Sequence, residues 1–146
     1  MRRHPAGVCV VTVEFEGQRL GVTVASLVSV ALEPPLVLIS IARQAALHEL
    51  LRDAGGFAVS LLRAEQEPLA QHFARGVPPI AQWVGIDAVE SGRGPLLAGA
   101  VGWLECAVAA EHEAGDHTLF VALVERAVEG EPGAPLFRLD GRYQST

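Results

Sequence analysis

Thr23, Ser26 and Ser29 fall inside the valine-rich run Gly21 to Val30, which meets Glu33-Pro34-Pro35 and restarts as the apolar run Leu36 to Ile41. Proline donates no amide hydrogen bond and confines the residue before it to extended conformations. Pro34-Pro35 therefore halts ladder pairing and admits no helix across Glu33. The pattern predicts a strand that ends at a break and a buried strand that begins after it, with amides and hydroxyls unpaired at the break. Such a break can cradle a polar ligand, although a strand whose hydroxyls bond neighbouring backbone accounts for the same residues. Burying Leu36 to Ile41 buries Ser40 as well, and its hydroxyl then needs a partner. A second chemical group is His117, in the turn Gly115-Asp116-His117. On chemistry alone it reads either as a hydrogen-bonded loop residue or as a functional imidazole, with Asp116 able to accept its ring N–H.

The elements that must position these groups can be read along the chain. Gly7 to Phe15 and Gln18 to Ser26 flank Glu16-Gly17 and predict an antiparallel hairpin. Leu36 to Ile41 predicts a strand covered on both faces, and Phe57 to Leu62 another short strand. Ala45 to Ala54 carries Leu47, Leu50 and Leu51 at helical spacing and stops at Gly55-Gly56. Glu65 to Ala74 places Leu69, Ala70 and Phe73 on one helical face. Residues 75 to 99, rich in Gly and Pro and containing Trp83, predict an irregular excursion. Val101 to Glu111 and Thr118 to Val128 resume the strand pattern, Trp103 reading as core, and Leu136 to Leu139 gives a last short strand. Many strands with two or more short helices predict a mainly β fold, a closed or partly closed barrel with helical caps.

Composition limits the function. The 146 residues predict a single domain over 1–146, and 50% hydrophobic content with mean hydropathy +0.31 is ample for a core. That surplus predicts apolar surface covered by a second copy, a homodimer. The net charge of -6, with eleven arginines and no lysine, excludes a nucleic-acid partner. No apolar run is long enough to span a membrane and no signal-peptide core follows Met1, so the chain reads as soluble and cytoplasmic. Cys9 and Cys106 stand alone in apolar stretches and read as core residues. They and His4, His48, His72 and His112 lack ligand spacing, so no metal is expected.

Taken in order, Arg2 to Val8, Gly21 to Val30, Glu33-Pro34-Pro35, Gly56 to Ser60, Gln66 to Phe73, Gly115-Asp116-His117 and Gly141-Arg142-Tyr143 resemble the short flavin reductases, over nearly the whole chain. These have an FMN-binding split β-barrel and serve as reductase components of two-component flavin monooxygenases. The resemblance implies FMN, or FAD, as cofactor and NAD(P)H as co-substrate, with a monooxygenase component as possible partner. It implies that Thr23, Val24, Ala25, Ser26, Leu27, Ser29 and Val30 line the flavin ring and ribityl chain, and that Ser40, Ile41 and Ala42 approach from the other side. Many relatives place serine and threonine in the turn entering the first helix, where this chain has Ala45 and Leu47. The flavin phosphate is therefore expected at helix amides near Leu47, aided by Arg43, Gln44 or Arg75. His117, oriented by Asp116, is expected beside the nicotinamide, with Arg142 and Tyr143 contacting the dinucleotide or a partner subunit. The competing reading is a non-enzymatic flavin carrier on the same barrel.

Overall fold

The computed structural model describes residues 1–146. In chain order the strands are β1 (Ala6–Gly7), β2 (Cys9–Phe15), β3 (Gln18–Val24), β4 (Val28–Leu32), β5 (Pro35–Ala42), β6 (Gly56–Leu61), β7 (Ala88–Val89), β8 (Leu96–Leu97), β9 (Gly102–Ala114), β10 (His117–Glu129), β11 (Leu136–Leu139) and β12 (Arg142–Ser145). The helices are α1 (Ala46–Ala54), α2 (Glu67–Ala74) and the single turn α3 (Pro79–Gln82). None is long and apolar enough to cross a membrane.

Seven antiparallel strands form the main sheet in the order β3-β2-β6-β9-β10-β5-β4. Its two edge strands, β3 and β4, are consecutive in the chain and joined only by Ala25, Ser26 and Leu27. Laid flat, a sheet of this many strands would hold its edges about 29 Å apart. The link can reach at most about 14 Å between Val24 and Val28. The sheet must therefore curl until its edges nearly meet, which makes a barrel split along the β3/β4 seam. The mainly β, helix-capped split barrel expected from the sequence is the fold observed.

One side chain spans that seam. Ser26 Oγ accepts the Ser40 N–H at 3.0 Å and donates to the Ser40 carbonyl at 3.2 Å. Two register shifts between β9 and β10 assist the curl, because a bulge bends the strand that carries it.

Several elements differ from expectation, each for a local reason. The Gly21 to Val30 run is not one strand: β3 ends at Val24 and β4 begins at Val28 on the opposite edge. The double proline is not the break. It forms the tight turn of the β4–β5 hairpin, with Leu32 opposite Pro35 and a cis Glu33–Pro34 bond. β5 is covered on one face only: Val37, Ile39 and Ile41 are buried while Leu36, Leu38 and Ser40 are half-buried. The strands buried on both sides are instead β2 and β6. Val11 and Val13 of β2 enter the core within the curl, beneath α1, with Leu51, Phe57 and Phe120. Val10 of β2 joins Leu62, Phe73, Leu97 and Leu136 beneath α2. The 75–99 excursion holds α3 and the β7–β8 pair, and one strand, β12, follows the expected last one, in a small sheet ordered β1-β11-β12. Trp103 is half-buried, its indole N–H bonded to the Leu97 carbonyl at 2.8 Å. Cys9 and Cys106 are buried, and burial pushes both thiols up to about 12, which keeps them un-ionised.

Removing the seam hydroxyl leaves the Ser40 backbone without its partner. The Ser26→Ala variant is expected to lose about 1–3 kcal/mol of stability by urea denaturation. Unchanged stability would show that the curl does not need the bridge.

Candidate functional site

The seam opens into a cleft of ≈ 350 Å³ lined by Val22, Thr23, Val24, Ala25, Ser26, Ser40, Ile41, Ala42, Ala45 and His117. Three distant parts of the sequence meet there for topological reasons. The end of β3 and the link after it supply one wall. The last residues of β5 supply the other. The β9–β10 hairpin adds His117, which pairs directly with Ala42. Its tight turn fits Gly115, whose φ of 60° is a conformation glycine adopts without strain.

The hydroxyls predicted to face a ligand are satisfied inside the protein. Thr23 Oγ1 donates to the Ala70 carbonyl of α2 at 2.6 Å, and Ser26 serves Ser40. The amides of Ala25, Ser26 and Leu27 donate to no group in the protein, and of these residues Ala25 and Ser26 line the cleft. Leu27 turns onto the barrel core. Ser29 and Val30 lie on the exposed edge strand β4 and do not line the cleft.

A second cavity of ≈ 230 Å³ shares Val22 and Ala45 with the cleft and continues along Ala46, Leu47, Phe73, Arg75 and Gln82. It sits at the amino end of α1. Ala45 is the N-cap, extended and without a side-chain cap, so the first-turn amides of α1 find no hydroxyl partner. With the dipole of a nine-residue helix behind them, such amides favour a negative group. Arg75, exposed at the C-cap of α2, lines the same cavity, and Leu47 is buried in its floor. Gln44 is exposed in the turn before α1. Arg43 is directed elsewhere: its guanidinium bonds the Gly115 carbonyl and lies 3.8 Å from Glu113.

His117 is half-buried, and its Nδ1 lies 2.7 Å from Asp116 Oδ1. That hydrogen bond, reinforced by the imidazole charge, holds the exposed Asp116 carboxyl below its usual range, so it is ionised throughout the neutral region. Tyr143 packs with Val8, Thr23, Ala25 and Arg138 around a cavity of ≈ 50 Å³ behind the cleft, while Arg142 is exposed on β12 and does not line the cleft. A basic hollow of ≈ 550 Å³, holding Arg2, His4 and Arg138, adjoins the cleft at Ala25. No group of three or more His, Cys, Asp or Glu side chains is placed to hold a metal ion.

Gln82 was not legible as part of the site. Its buried amide side chain accepts the Gly21 N–H and donates to the Gly21 carbonyl, both at 2.9 Å, and so substitutes for a neighbouring strand along the free edge of β3. A single glutamine in an aperiodic stretch carries no signal for that role. Val22 and Ala46 were missed for a similar reason, since small apolar residues that shape a cavity resemble any other strand or helix position.

The family model described as flavin reductase like domain matches residues 1–146. An NADH-dependent FAD reductase of Streptomyces globisporus is 42% identical over 144 residues, covering 96% of this chain and 79% of that protein. The reductase component of the 4-hydroxyphenylacetate 3-monooxygenase of Thermus thermophilus is 39% identical, covering 99% of this chain and 91% of its own. The solved structure of the Streptomyces globisporus C-1027 NADH:FAD oxidoreductase SgcE6, in complex with NAD and FAD fragments, superposes with a TM-score of 0.90 at 40% identity, over 97% of this chain and 86% of that one. A barrel split at an amide-lined seam, matched in sequence and in shape over its full length, belongs to the flavin reductase like family.

Proposed function

We propose that this protein is an NAD(P)H-dependent flavin reductase, binding FMN or FAD in the seam cleft and passing to it a hydride from the nicotinamide nucleotide. The observation that carries the reading is the convergence on one cleft of His117 with Ala25 and Ser26, whose amides pair with no group in the protein. A bound flavin supplies the hydride-accepting ring, and its reduction gathers negative charge at the pyrimidine edge. Main-chain amides of the link can stabilise that charge without a proton-transferring side chain. Amide donors also fit a ring edge better than the expected hydroxyls, which the fold uses internally.

The ribityl phosphate is assigned to the first-turn amides of α1 beside Leu47, with Gln44 and Arg75 as the side chains free to assist. Thr23, Val24, Ser40, Ile41 and Ala42 shape the walls for the ring and ribityl chain. His117 is placed to position the nicotinamide: with Nδ1–H donated to Asp116, Nε2 is free to accept a hydrogen bond from a carboxamide. Tyr143 and Arg142 serve the dinucleotide or a partner subunit through the small sheet. Relatives that are the reductases of monooxygenases support a role supplying reduced flavin to such an enzyme, and we assign that role to the cytoplasm.

We also assign β4 to a homodimer interface, because this edge strand exposes Val28 at 52%, Val30 at 48% and Leu32 at 88%. Light scattering after size exclusion is expected to give twice the 15.4 kDa chain mass. A monomer at micromolar concentration would overturn the assignment.

Anaerobic mixing of the flavin-loaded protein with NADH or NADPH is expected to bleach the flavin absorbance. Bound flavin that neither donor bleaches would leave a carrier, not a reductase. The His117→Ala variant is expected to raise the KM for the nucleotide about tenfold with a smaller loss of kcat and unchanged flavin affinity. Kinetics identical to the wild type would remove His117 from the site.

A further inference from the structure

His117 stands on an exposed hairpin turn, and a turn of that kind does not by itself hold an imidazole over a cleft. The turn is tied down from β5. The backbone N–H of Arg43 donates to the Asp116 carbonyl at 2.9 Å. The guanidinium of the same residue donates to the Gly115 carbonyl and lies 3.8 Å from the Glu113 carboxylate. Arg43 directly follows Ala42, the cleft residue that pairs with His117. A second tie lies beneath. Buried His48 of α1 shares a 2.8 Å hydrogen bond between its Nε2 and Oγ1 of buried Thr118, the residue after His117. The tip of the β9–β10 hairpin is therefore held by the end of β5 on one side and by α1 on the other.

We propose that Arg43 is a positioning residue for the nicotinamide nucleotide, acting through the Gly115–His117 turn, and is not a ligand of the flavin phosphate. The inference rests on the reductase reading for its kinetic consequence, while the geometry of the clamp does not depend on it. A planar, permanently charged guanidinium suits the task, since it can engage a carbonyl and a carboxylate at once. The strain-free Gly115 turn alone provides no such restraint. Fixing His117 before the nucleotide arrives lowers the ordering cost of the encounter, and that advantage is felt in nucleotide binding.

The test compares wild type, Arg43→Ala and Arg43→Lys in three measurements. Flavin affinity is read by fluorescence quenching with FMN and with riboflavin, steady-state kinetics are taken with NADH, and hydrogen exchange is followed across residues 113–118. Arg43→Ala is expected to raise the KM for NADH about three- to tenfold. It should leave FMN and riboflavin affinities at wild-type values and speed exchange in the turn even without nucleotide. Arg43→Lys, which keeps one charged donor, should recover part of the KM. Weakened FMN binding with unaltered riboflavin binding would identify a phosphate ligand and overturn the proposal. Unchanged exchange and KM would overturn it as well. Should the wild type oxidise neither NADH nor NADPH, the reductase reading falls, and the exchange measurement alone decides whether the clamp exists. Arg43→Lys serves in place of Arg43→Ala if the latter does not fold.

Discussion

The short link Ala25-Ser26-Leu27 is the constraint on which this structure turns. It joins the two outermost strands of a seven-stranded sheet, so the sheet cannot lie flat. Curling removes the length conflict but cannot also close the hydrogen-bond ladder, because a link that crosses a seam is not itself a strand. The three link amides are left over as a result. These free donors are a direct product of the topology; Ala25 is exposed and Ser26 half-buried, so water can reach them, and both residues line the cleft.

The polar groups divide accordingly. Side-chain hydroxyls hold the scaffold: Ser26 spans the seam, Thr23 anchors α2 to β3, and Thr118 meets His48 beneath the hairpin. Gln82 completes the edge of β3. Backbone amides are left to the link and to the uncapped start of α1, and Ala25, Ser26, Ala46 and Leu47 line the two cavities. A group whose place is set by the main chain tolerates side-chain variation, so Ala45 and Leu47 need no hydroxyl for the α1 amides to keep their place.

Much of this was legible and some was not. The hairpin through Glu16-Gly17, the helix stopped by Gly55 and the paired long strands around Gly115 follow from local signals, alternation and glycine placement, that act within a few residues. Recognition of the family rested on the order of such motifs, and the gathering of Thr23 to Ser26, Ser40 to Ala42 and His117 on one cleft agrees with it. The double proline misled because it marks a turn equally well whether the flanking strands pair or part; their pairing is a tertiary outcome. Ser29 and Val30 fell outside the cleft because the strand break comes earlier, at Ala25, where no proline or glycine announces it. Arg43 was expected at a phosphate because it precedes a helix, yet its side chain follows the neighbouring hairpin instead.

By itself the sequence determined the class of fold, the acidic and lysine-free surface, and the residue types available for chemistry, since composition, period and turn preference are properties of the chain. Tertiary structure decided which of those polar groups are spent on holding the barrel and which remain for a ligand. That decision is physical: a hydroxyl pairs with the nearest free carbonyl, and nearness across the β3/β4 seam, or between Thr23 and Ala70, exists only after the sheet has curled.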